Sequence, residues 1–77
     1  MSSKHATETE VALSEELGYT HNPSKVQGSE FVKERRVIWP TLEGRWLAAD
    51  EYAPRRYENH RIYRDLSKAL RRPYPDP

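Results

Sequence analysis

The chain contains no cysteine, only three glycines and a single phenylalanine in 77 residues. Without cysteine there is neither a disulfide framework nor a thiolate metal site, which excludes two common staples of small domains. No apolar run approaches the roughly 18 residues of a membrane-spanning helix. The polar start Met1-Ser-Ser-Lys-His-Ala-Thr7 lacks the apolar stretch of a secretory signal. A cytoplasmic protein with no membrane partner is the expectation. Gly18, Gly28 and Gly44 lie too far apart to cradle a phosphate.

Charged residues make up 32% of the chain and the hydrophobic set 35%, close to the composition at which chains stop folding alone. A domain of this length has little core to offset conformational entropy, so a stabilising partner or a place in a complex is expected. Net charge is only +1, but it is divided unevenly. Residues 1–30 set two lysines against five glutamates, for −3. Residues 31–50 hold four basic and three acidic side chains, for +1. Residues 51–77 set seven basic against four acidic side chains, for +3. The basic end suits a polyanion or an acidic protein surface; equally, the two ends could neutralise each other across the fold.

Bulky apolar residues concentrate in Arg36-Val-Ile-Trp-Pro-Thr-Leu-Glu-Gly-Arg-Trp-Leu47. Val37, Ile38 and Trp39 read as one short strand and Arg45, Trp46 and Leu47 as another. Pro40 to Gly44 supplies the turn between them. Upstream, Thr7-Glu-Thr-Glu10 has capping-box spacing, Val11, Leu13 and Leu17 form a partial stripe, and Gly18 is placed to stop a helix over about 8–17. Residues 19–25 read as a loop. Ser29-Glu-Phe-Val-Lys-Glu-Arg-Arg36 suggests a second helix, either on its own or joined to a helix that starts at Pro23 and weakens at Gly28. Asp50 suits an N-cap. From Arg55 to Arg72 no Gly or Pro intervenes, and Tyr57, Ile62, Tyr63, Leu66, Ala69 and Leu70 recur at helical steps. A long basic C-terminal helix is expected there.

The resulting expectation is a single α+β domain over residues 8–72: short N-terminal helices, a two-stranded hairpin and the long basic helix. Residues 1–7 and 73–77 form flexible ends. His5, His21 and His60 are isolated, and no nucleophile stands beside a base, so no catalysis, small-molecule substrate, metal or cofactor is expected. Binding remains. Arg35, Arg36, Arg45, Arg55, Arg56, Arg61, Arg64, Lys68 and Arg71 are the candidate contacts to phosphates or carboxylates. Trp39, Trp46, Tyr57 and Tyr63 are either core or interface anchors.

The acidic first helix, a second ending in Lys33-Glu-Arg-Arg36, and Val-Ile-Trp-Pro…Gly44-Arg-Trp-Leu47 together resemble small winged-helix proteins of the excisionase type, over about residues 9–52. That resemblance implies a DNA-binding regulator of phage or mobile-element kind. Lys25, Lys33, Arg35 and Arg36 would then lie at the recognition-helix end, with Arg45 in the wing. The competing reading is an adaptor or inhibitor docking on a host enzyme, or a peripheral subunit of a larger assembly.

Overall fold

The computed structural model describes residues 5–24 and 28–72. Lys25 and most of the expected loose ends lie outside them. A helix, α1 (Glu8–Glu16), is followed by five strands: β1 (Thr20–Ser24), β2 (Gly28–Lys33), β3 (Arg36–Pro40), β4 (Trp46–Ala53) and β5 (Arg56–Tyr63). A one-turn helix, α2 (Leu66–Leu70), follows β5. All strands are antiparallel and ordered β1-β2-β3-β4-β5, a meander in which each strand pairs with its neighbour in sequence.

Helix α1 forms where the sequence placed it. The Thr7 hydroxyl accepts from the Glu10 backbone N–H at 3.2 Å, while a Glu10 carboxylate oxygen accepts from the Thr7 N–H at 2.9 Å. Glu8 and Glu10 occupy the first turn, against the positive end of the helix dipole. Gly18, at φ +92°, follows the C-cap Leu17 and turns the chain into β1.

The expected α+β arrangement with one hairpin, winged-helix-like, is not what forms. Residues 37–39 do lie on a strand that turns back and pairs, but with residues 47–49 rather than 45–47. Val37 faces Ala49, Ile38 faces Ala48 and Trp39 faces Leu47, Arg45 stays in the turn, and these are segments of two strands among five. The second helix expected over residues 29–36 is instead β2 and the turn into β3. Phe31 and Val32 gain cross-strand partners in Ile38 and Val37, which a helix would not provide. The expected loop 19–25 contributes β1, and Asp50 lies inside β4 rather than capping a helix.

The long basic helix is the largest departure. Arg56–Tyr63 pairs along β4, and only Leu66–Leu70 is helical. Two irregularities interrupt this pairing. At one of them, Asn59 and His60 together face Ala49, with Asn59 at φ 57°, a bulge that inserts an extra residue. The insertion breaks the two-residue alternation and puts Tyr57 and Ile62, five residues apart, on one side of the sheet, while the helical step from Leu66 to Leu70 belongs to the short α2.

Both helices cover the same side of the sheet. Tyr19, Phe31, Ile38, Trp46, Ala48, Leu66, Ala69 and Leu70 form the buried cluster, with Ala6, Leu13, Leu17 and Tyr63 packed around it. Phe31 meets Trp46 edge to face at 6.0 Å and stacks on His21 at 4.9 Å. Ala48 and Ala69, both fully buried, keep the helix–sheet spacing small.

Candidate functional site

Strand alternation divides the side chains of β3 and β4 cleanly. Arg36, Ile38, Trp46, Ala48 and Asp50 point toward the helices; Val37, Trp39, Leu47, Ala49 and Glu51 point away. Across the sheet, Val32 pairs with Val37, Val37 with Ala49, Trp39 with Leu47, and Leu47 with Ile62. Tyr57, paired with Glu51, belongs to the same outer side and meets Trp39 edge to face at 5.2 Å. The rings touch across β4, and Ala49, on that strand between them, is fully buried although neither described helix lies on this side. Only a small residue leaves room for that contact. The outcome is an apolar stripe of Trp39, Leu47, Tyr57 and Ile62 running from β3 to β5. Ile62 is 55% exposed, and Trp39, Leu47 and Tyr57 are half-buried.

The stripe has charged surroundings of both signs. Glu30 and Glu51 share its side of the sheet. Glu51 accepts from the Arg55 backbone N–H at 3.2 Å, which fixes the β4–β5 turn. Exposed Arg55 and Arg56 stand at that turn, and exposed Arg35 at the β2–β3 turn at the same end of the sheet. Arg35 also accepts, through its carbonyl, from the Glu51 N–H at 2.8 Å. Arg45 is exposed at the opposite end, in a loop closed by Thr41: the Thr41 hydroxyl accepts from the Glu43 and Arg45 N–H groups, and Gly44 takes φ +77°.

The other basic candidates spread over different surfaces. Arg61 and Arg64 are exposed along and after β5, while Lys68 and Arg71 are exposed on and after α2. Lys33 reaches across to α1, donating to the Leu17 carbonyl at 2.8 Å and standing 5.7 Å from the Tyr19 ring. Trp46 is fully buried and Tyr63 packs against the core, so of the four aromatic candidates only Trp39 and Tyr57 share the outer stripe.

Arg36 is placed elsewhere, in the interior. Its Nε–H donates to Asp50 Oδ1 at 2.6 Å, and neither side chain is more than 2% exposed. Asn59 donates to Asp50 Oδ2 at 3.1 Å, the Tyr19 hydroxyl is hydrogen-bonded to Arg36, and buried Arg72 donates to the Asn59 carbonyl at 3.0 Å. Burial alone pushes the Asp50 carboxyl up, but the hydrogen bonds from Arg36 and Asn59 and the charges of Arg36 and Arg72 outweigh it and hold it below the usual range. Burial raises the Tyr19 hydroxyl, with Arg36 opposing it, and burial together with the Arg36 charge lowers the Arg72 guanidinium. The arrangement clamps β3, β4, β5 and the end of α2 together.

Among known proteins, no family, no curated sequence and no solved structure matches the chain. Among the described residues, no three His, Asp or Glu side chains converge as metal ligands, and no helix is long and apolar enough to cross a membrane. Sequence reasoning missed Leu47 and Ile62 as surface residues and Asp50, Asn59 and Arg72 as a clamp.

Proposed function

We propose that this protein is a noncatalytic docking module that grips a partner protein through the outer side of its sheet. The observation that carries this reading is the Trp39–Leu47–Tyr57–Ile62 stripe: aromatic and aliphatic groups held rigidly on paired strands, with Arg35, Arg55 and Arg56 at one end to meet carboxylates on the partner. Rigid aromatic anchors with a charged rim are the usual energetic centre of a protein interface.

DNA is the less favoured partner. The basic helix that would lie against a duplex is a strand and a single turn of helix, and α1 presents Glu8, Glu10, Glu15 and Glu16 with no basic residue. Glu30 and Glu51 on the outer side would repel a phosphate backbone.

The discriminating measurement is a titration with nonspecific duplex and single-stranded DNA over a range of salt concentrations. The expected result is no binding at low salt. Micromolar binding with a steep salt dependence, weakened by charge removal at Arg55 and Arg56, would overturn the protein-docking reading. In parallel, proteins retained by the wild-type chain should be lost with Ile62→Lys and kept with Lys68→Ala.

A further inference from the structure

The sheet ends in two edge strands that differ in their readiness to pair. In β1, Pro23 has no N–H to donate to an added strand. Strand β5 has eight residues, no proline, and exposed side chains at Arg56, Glu58, His60, Arg61 and Ile62. A long edge of that kind is a template for another strand.

We infer that β5 pairs antiparallel with β5 of a second copy of this chain, joining two five-stranded sheets into one. The register follows from which side each residue faces. Glu58 pairs with Asp50 and Arg61 with Ala48, so both lie on the helix side even though they are three residues apart. Tyr57 and Ile62 both lie on the outer side. The bulge at Asn59–His60 makes this possible, since in a regular strand residues three apart face opposite ways.

A two-fold axis between Asn59 and His60 then sets Glu58 opposite Arg61 of the second copy, and Tyr57 opposite Ile62, each pair occurring twice. Shifting the register by one residue in either direction puts outer-side residues opposite helix-side ones. Shifting it so that Arg56 meets Arg61 sets like charges against each other. A two-fold axis at Tyr57 would also set Arg56 against Glu58, but it overlaps only three residues of β5, whereas the first register matches sides, charges and apolar groups along all eight. It also makes the two apolar stripes continuous through the Tyr57–Ile62 pairs. Tyr57 and Ile62 belong to the outer stripe as well, whereas Glu58 and Arg61 lie on the helix side, so charge reversals at those two positions test the pairing apart from what docks on the stripe.

Sedimentation velocity over concentrations up to the millimolar range tests the inference on the full chain. The wild type should show a monomer–dimer equilibrium. Glu58→Arg and Arg61→Glu should each weaken dimerisation about tenfold or more, because every favourable pair becomes a repulsive one. The double substitution Glu58→Arg/Arg61→Glu restores opposite charges and should recover the dimer. Both positions are exposed, and circular dichroism confirms that each variant is folded. A chain that stays monomeric throughout, or a dimer indifferent to the single reversals, or a double variant no better than the singles, would overturn β5 pairing.

Discussion

Arg36 on β3 and Asp50 on β4 sit directly opposite each other and form a buried ion pair at 2.6 Å, sealed on the helix side of the sheet. Removing one partner of such a pair leaves a charge in an apolar interior. Asp50→Ala should therefore cost about 3–5 kcal/mol, enough to unfold much of the population of so small a domain. Arg36→Met combined with Asp50→Leu should cost clearly less than Asp50→Ala alone. Urea denaturation of the three chains checks the order, and equal losses in both variants would contradict the pairing.

The same carboxylate sets an acid limit on stability. Asp50 titrates lower in the folded chain than its unfolded value of about 3.9. The unfolded state therefore takes up the proton first. The contribution is complete above that value and is lost as pH falls through the lower, folded value. Urea midpoints should stay level from neutral pH down to about pH 4 and drop below it. The drop should be shallower in Asp50→Asn, which has no carboxylate to protonate.

Two tight turns carry non-glycine residues in left-handed backbone: Glu34 at φ 53° and Arg55 at φ 60°. The left-handed region costs an ordinary residue about 1–2 kcal/mol, part of which glycine returns as unfolded-state entropy. Glu34→Gly and Arg55→Gly should each stabilise by about 0.5–1 kcal/mol in thermal melts. Asn59, at φ 57°, should behave in the opposite way. Its side chain bonds Asp50, and Asn59→Gly should lower stability by about 1 kcal/mol.

The two tryptophans should separate fold from docking. Trp46→Ala empties the centre of the core and should cost about 3–5 kcal/mol. Trp39→Ala opens only the half-buried outer stripe and should leave a folded chain that no longer retains its partner. Circular dichroism and partner retention, measured on both variants, check this; an unfolded Trp39→Ala would place that ring among the structural elements.

How much of this was legible from residues depends on where the signal is local. Helix α1 was readable because Thr7, Glu10 and Gly18 specify its ends by short-range hydrogen bonding and backbone freedom. The turn before Trp46 was readable from Pro40 and Gly44. Strand β5 was not, because the Asn59 bulge breaks its two-residue alternation and the turn before it lacks glycine at the left-handed position. The β2–β3 turn hid itself in the same way behind Glu34. On the candidate site, the sequence left Trp39 and Tyr57 open between core and interface, and only strand pairing shows that they share the outer side and that Trp46 does not. Arg36 was indistinguishable from the surface arginines, since nothing near it in sequence marks the carboxylate fourteen residues away.

The neighbour-to-neighbour order of the strands has a kinetic consequence. Each hairpin can zip up from its own turn without waiting for distant chain, which keeps average contact separation low and favours rapid formation of the sheet. The exception is the meeting of α1 with α2, elements from opposite ends of the described chain whose leucines share one cluster. That docking event closes the longest loop, so the late, slow step of folding should be the arrival of Leu66 and Leu70 against Leu13 and Leu17.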